Sequence, residues 1–126
     1  MSGVVGTIGW VDLTIPDAGK LRDFYSEVVG WKVEDTPVGD YEDYTMRAPG
    51  TGAAVAGVCH ARGVNADMPA QWLIYVTVAD LDQSIARCEA LGGKVRVGPN
   101  DMGSFGRLAV IEDPAGAVAG LIQPPN

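Results

Sequence analysis

Few residues in this chain have the types and positions that chemistry needs. Asp12 alternates with Trp10 and Thr14 along one face of a strand-like stretch. A carboxylate flanked by an indole and a hydroxyl, if shielded from water, has its pKa raised towards values useful for acid–base work. The same carboxylate satisfied by an arginine or by backbone donors does no chemistry. Tyr75 sits between Leu73 and Thr77 in a second such stretch and is the other candidate for proton transfer. Trp10 and Tyr75 are also suited to walling an aromatic or planar ligand, with Trp72 nearby, or to filling a cavity with bulk. His60 is the only histidine and stands beside a loop, where a surface role is the ordinary one. Cys59 is its neighbour, but adjacent strand residues point to opposite faces, so the two make no nucleophile–base pair. Cys59 and Cys88 match no metal or redox spacing. The segment Asn100-Asp-Met-Gly-Ser-Phe-Gly106 is hinged by glycines and carries Met102 and Phe105, as a lid or as a plain connection. It lacks the spacing and the lysine of a phosphate loop.

Two stretches of one design must position these groups. Val5–Ile15 alternates, with Val11, Leu13 and Ile15 on the face opposite Asp12, and reads as a strand. Asp17 is placed to cap a helix in which Leu21, Phe24, Tyr25, Val28 and Val29 recur at helical spacing until Gly30 stops it. Strands are predicted at Trp31–Asp35, Tyr44–Arg47 and Ala53–Cys59, with a turn at Pro49-Gly50. The second stretch repeats the plan: a strand over Leu73–Val78, a helix from Asp80 to Gly92, and strands at Lys94–Val97, Arg107–Glu112 and Ala117–Gln123. Asp80 and Gln83 have capping-box spacing, and Leu81, Ile85 and Cys88 form the stripe to be buried. Asp113-Pro-Ala-Gly116 fits a type I turn. A shift of 63 positions carries Asp17 onto Asp80, Thr14 onto Thr77, and Ala54-Val-Ala-Gly-Val58 onto Ala117-Val-Ala-Gly-Leu121. Matches in one order across half a chain indicate a duplicated βαβββ unit. His60–Gln71 has no periodicity and reads as the linker. The expected plan is one domain, with module one near 5–60, a linker at 61–71 and module two near 72–124.

A parallel strand–helix–strand start lays each helix over one sheet face. The β-branched residues Ile74, Val76 and Val78 are the expected floor beneath the second helix, and Ala54, Ala56, Ala117 and Ala119 would let helices approach closely. The other faces carry Trp10, Asp12, Thr14, Gly57 and Cys59 in module one, and Leu73, Tyr75, Thr77 and Gly120 in module two. Aromatics mixed with a carboxylate and hydroxyls suit a lined cavity better than a dry core.

Composition narrows the partners. At 126 residues, 47% of them apolar, the chain can bury a core, and no apolar run approaches the roughly 20 residues of a membrane span. The N-terminal segment Met1-Ser-Gly-Val-Val-Gly6 has no secretory pattern, and two cysteines in such a chain are expected to be reduced, so the expected compartment is the cytoplasm. A net charge of −7 opposes binding to nucleic acid; it permits a cationic ligand and equally serves solubility.

Paired βαβββ modules with Phe24-Tyr25 in the first helix, Leu91-Gly-Gly93 after the second and a late Asp113-Pro-Ala-Gly116 turn resemble the vicinal oxygen chelate superfamily. Trp10-Val-Asp-Leu13, Trp72-Leu-Ile-Tyr75, Gly92-Gly93-Lys94-Val95 and Gly106-Arg107 are similar to its glyoxalase-like bacterial subgroup. The resemblance spans Ile8 to Pro124 and implies an α+β fold: an eight-stranded curved mixed sheet around a central cavity, helices outside, in a homodimer. It also implies a small-molecule ligand, as in the glyoxalases, extradiol dioxygenases and bleomycin resistance proteins. Catalytic members hold a divalent metal at four strand positions that in this chain fall on Trp10, Gly57, Leu73 and Gly120. None of these side chains ligates a metal, so no metal and no cofactor are expected. Asp12 and Tyr75 remain as the catalytic candidates. Trp10, Thr14, Gly57, Cys59, Leu73, Thr77, Met102, Phe105 and Gly120 remain as ligand contacts.

Overall fold

A computed structural model describes residues 3–125; Met1, Ser2 and Asn126, and with them the start of the N-terminal segment, lie outside the described residues. The elements are β1 (Ile8–Ile15), α1 (Ala18–Val29), β2 (Lys32–Val38), β3 (Tyr41–Arg47), β4 (Ala54–His60), β5 (Trp72–Thr77), α2 (Leu81–Ala90), β6 (Lys94–Asp101), β7 (Arg107–Glu112) and β8 (Val118–Gln123). This is the expected βαβββ order, twice. The eight strands form a mixed sheet of order β2-β3-β4-β1-β5-β8-β7-β6. Two compact units divide the chain: one runs from Val11 to Trp72, and the other joins the chain up to Trp10 with everything from Leu73 onward.

Register carries the duplication down to single residues. In module one β1 and β4 are parallel, pairing Asp12 with Gly57, Leu13 with Val58 and Thr14 with Cys59. In module two β5 and β8 are parallel, pairing Tyr75 with Gly120, Val76 with Leu121 and Thr77 with Ile122. Each second pair is the first displaced by the same 63 positions that relate Asp17 to Asp80. The helix caps obey the same shift: Lys20 N–H donates to Asp17 and Gln83 N–H to Asp80, at 3.4 and 3.1 Å. Each bond satisfies one of the donors that a helix leaves open at its start. Gly30 ends α1 in the left-handed conformation, its N–H donating to the Ser26 carbonyl.

The outermost strands, β2 and β6, carry Pro37 and Pro99 and a scatter of charges, which blunts two edges that would otherwise template further strands. The Asp113–Gly116 turn forms as expected: Gly116 N–H donates to the Asp113 carbonyl, and the Asp113 carboxylate accepts from Ala115 and Ala117 N–H. The linker holds one short 3-10 turn at Gly63–Asn65.

Module one's core lies under α1, where Ala18, Met46, Ala56 and Val58 are buried against Leu21, Tyr25, Trp31 and Trp72. Trp72 Nε1 donates to the Tyr25 hydroxyl at 3.0 Å, and its ring meets Tyr25 and Trp31 edge-on at 5.1 and 5.9 Å. Trp72, the first residue of β5, is thereby fastened into the Val11–Trp72 unit. Ala56 fills the close-approach role expected of it, whereas Ala54 and Ala117 are exposed at strand ends.

Several expectations shift. The first strand begins at Ile8 rather than Val5, because Gly6 at φ 86 turns the chain and hands its N–H to the Thr77 carbonyl. β3 starts three residues early, at Tyr41, and β6 runs on to Asp101. In β5 the expected roles of the two faces are not met: Ile74 is 38% exposed, while Leu73 and Thr77 are fully buried. Cys88 is half-buried rather than buried, at a helix end pressed close to Gly93.

Candidate ligand-binding site

The module-two candidates Leu73, Tyr75, Thr77 and Gly120 assemble around a pairing of a ring with a missing side chain. Across β5, β8 and β7, Tyr75, Gly120 and Val110 stand in one row. A Cβ at Gly120 would lie 2.5 Å from Tyr75 Cε1 and 3.0 Å from its Cγ, nearer still to Cδ1. The Cδ1–Cε1 side of the phenol ring therefore sits against Gly120, in space that any side chain there would claim. Tyr75 is 4% exposed, and Leu73, Thr77, Val110 and Ile122 around it are buried. This burial is the reason the β5 faces depart from expectation: the ring closes over Gly120 and draws its own face out of solvent. Of the two roles open to Tyr75, the geometry is that of filling.

Module one has a different surface at the equivalent places. Asp12 stands where Tyr75 does, beside Gly57, and both Asp12 and Cys59 are half-buried while Thr14 is buried. Asp43 joins them from β3, one residue before the Tyr44–Val58 pair, and accepts the His60 N–H at 2.8 Å. Burial, reinforced by the negative charges of Asp12 and Asp43, pushes the Cys59 thiol far above its ordinary value. The thiol is thereby held protonated, which removes it as a nucleophile. The sequence does not single out Asp43, because the predicted strand begins at Tyr44. Tyr41, a strand-favouring aromatic upstream, is the one local signal for the longer strand, because Tyr41-Glu-Asp-Tyr44 does not alternate.

His60 faces away from Cys59, as strand alternation requires. Its ring sits edge-on to Tyr41 at 5.6 Å and tilted to Tyr44 at 5.8 Å. Arg62 and Arg22 stack over those two tyrosines at 4.0 and 4.6 Å. Trp10 is half-buried on β1. In the Asn100–Gly106 segment, Asn100 and Asp101 end β6 and Gly103–Phe105 form a 3-10 turn, closed by Met102 N–H donating to the Gly106 carbonyl and Gly103 N–H to the Asp101 carboxylate. Phe105 projects from its tip 58% exposed, and Met102 is half-buried.

A divalent ion at the four strand positions used by catalytic members of the fold has no donors to hold it. Trp10, Gly57, Leu73 and Gly120 offer no ligating side chain, and in module two the Tyr75 ring takes the room beside Gly120. Among the described residues no three His, Cys, Asp or Glu side chains are grouped to bind a metal elsewhere. No helix among them is long and apolar enough to cross a membrane.

Residues 7–119 match the Glyoxalase/Bleomycin resistance protein/Dioxygenase superfamily, and the chain belongs to that family. Among its curated relatives, CFP32 of Mycobacterium tuberculosis, named as a glyoxylase, is 38% identical over 120 residues, covering 94% of this chain and 46% of that protein. DnrV of Streptomyces peucetius, named an anthracycline biosynthesis protein, is 35% identical over 127 residues, covering 89% of this chain and 45% of that one. The chain thus spans about half the length of the curated relatives it matches. Methylmalonyl-CoA epimerase of Mycobacterium tuberculosis has a similar fold, with a TM-score of 0.56 at 16% identity over 100% of this chain and 93% of that one. The same enzyme type in complex with methylmalonyl-CoA and NH4+ gives a TM-score of 0.59 at 16% identity over 96% of each chain. These likenesses define the fold: two helices and a mixed eight-stranded sheet.

Proposed function

We propose that this chain binds a small hydrophobic or aromatic molecule in a metal-free cavity, and that sequestration or carriage is its activity. The observation that supports the reading is the Tyr75 ring packed against Gly120, one of four strand positions that carry no ligating side chain in this chain. Within the Val11–Trp72 unit the proposed ligand contacts are Thr14, Gly57 and Cys59, with Asp12 orienting polar groups; within the other unit they are Trp10, Met102 and Phe105, with Leu73, Thr77 and Gly120 reached only when the Tyr75 ring moves aside. The relative named for anthracycline biosynthesis favours a ligand with fused aromatic rings, and the net charge of −7 favours one bearing an amine. A thermal-shift screen of planar aromatic compounds, followed by product analysis on each hit, tests this. Binding without conversion is the expected result; conversion of every ligand that binds would refute carriage.

A second reading, an enzyme of the same scaffold working without the usual metal, draws support from the relative named as a glyoxylase and from Asp12 beside the half-buried Cys59. In it Asp12 or Tyr75 moves the proton. Loss of conversion in Asp12→Asn with binding retained would select it. We also propose a homodimer in the cytoplasm, the latter supported by two free cysteines. Light scattering on the eluting protein and localisation of the tagged chain test these.

A further inference from the structure

We infer that the Tyr75 phenol is a built-in occupant of an aromatic slot on module two, one that admits an external planar ring of similar size only when Tyr75 is out of it. The inference deepens the proposed function and rests on it for the class of ligand.

Three observations meet at this point. First, the slot has a floor that only glycine provides, because the ring lies where the Gly120 side chain would begin. Second, its surroundings are closed to solvent and largely aliphatic: Leu73 and Val110 are fully buried, Val97, paired with Val110, extends the same row, and the buried Thr77 adds one hydroxyl. Third, the module-one equivalent of Tyr75 is Asp12, also beside a glycine, Gly57. The duplicated frame therefore does not itself demand an aromatic residue at this position. The ring is a particular choice of module two, and it leaves that face with no room for a guest while it stays.

An aromatic ring clasped between a bare backbone and aliphatic walls has the surroundings that a bound phenol or arene would have. Removing it leaves an apolar hole, and such holes accept small aromatic molecules of matching shape. A ligand that uses this slot must displace the tyrosine, so its apparent affinity is reduced by the fraction of molecules in which the ring is already out. Tyr75 then acts as a positioning and gating residue, and its removal should tighten binding of a ring that enters the slot.

The test is rescue of Tyr75→Ala by p-cresol, the side chain supplied as a free molecule. p-Cresol should raise the melting temperature of Tyr75→Ala in a dose-dependent way and leave that of the parent unmoved. In Tyr75→Ala/Gly120→Ala, whose new methyl intrudes on the slot, the rise should shrink. Tyr75→Leu, which keeps apolar bulk, serves if the alanine variant does not fold, and should show a smaller rise of the same kind. No rise in either variant, or an equal rise in the parent, would overturn the inference. The parent's response to larger aromatic ligands in the thermal-shift screen is read separately. The slot can therefore fail while ligand binding stands, or the reverse.

Discussion

Gly120→Ala is the most informative single change, because it adds one methyl group at a point where the structure leaves no room for it. The new Cβ would lie 2.5 Å from Tyr75 Cε1 and closer to Cδ1, whereas ordinary contact begins at 3.4 Å. The ring must therefore retreat by on the order of 1 Å, yet it is 4% exposed and backed by fully buried neighbours. Two effects oppose each other. Alanine in a strand gains on the order of 0.5–1 kcal/mol over glycine through lost chain entropy. Overpacking a filled core costs about 1–3 kcal/mol, and with the ring itself as the obstacle the upper end is expected. The net loss is about 2 kcal/mol, which for a domain of this size lowers Tm by roughly 8 °C. Thermal and urea unfolding followed by circular dichroism measure it. Gly50→Ala, at a turn where an added Cβ meets nothing within 4 Å, is the control and should change stability by less than about 0.5 kcal/mol. Tyr75→Ala removes the obstacle, so the double variant should be more stable than the sum of the single losses predicts, by about 1–2 kcal/mol. If Gly120→Ala is as stable as Gly50→Ala, the ring does not pack against Gly120 and the close packing of the two is a misreading.

Tyr25→Phe leaves the Trp72 indole N–H without its acceptor in a half-buried cluster and should cost about 1–2 kcal/mol in urea unfolding read by tryptophan fluorescence. Cys59 should resist iodoacetamide at mildly alkaline pH in the folded protein and react readily once unfolded, as mass spectrometry of the labelled peptides will show. Because folding raises that thiol's pKa, its contribution to stability is complete below the ordinary value of 9.0 and declines as pH rises beyond it. The Arg107 guanidinium holds the Asp82 carboxylate below its ordinary 3.8, a contribution present above that pH and lost as pH falls through the lowered value. Asp82→Asn should therefore be less stable than the parent at neutral pH and converge with it in acid, as urea midpoints against pH will show.

The duplicated plan was legible because its signals are local. Asp17 and Asp80 announce caps, Gly30 a helix end and Asp113-Pro-Ala-Gly116 a turn, and each is met by the bond its chemistry requires. The register pairs of module two are those of module one displaced by the same 63 residues, though the pairing itself comes from the structure. What escaped the sequence depends on contacts between strands. Alternation separates Ile74 from Tyr75 but does not say which face is buried, and the answer came from a glycine 45 positions away in the chain. Asp43 is hidden for a similar reason: it matters beside Cys59, but it lies between the predicted strands Trp31–Asp35 and Tyr44–Arg47. The fastening of Trp72 to Tyr25 likewise joins residues that no local pattern connects.

Whether an ion takes part in binding is settled by one calorimetric titration. A planar aromatic hit from the thermal-shift screen is titrated into protein dialysed against EDTA, and again into protein supplied with zinc, nickel or iron(II). The same affinity in every case is the result that the proposed metal-free binding expects. Binding that vanishes with the chelator and returns with one metal would contradict it.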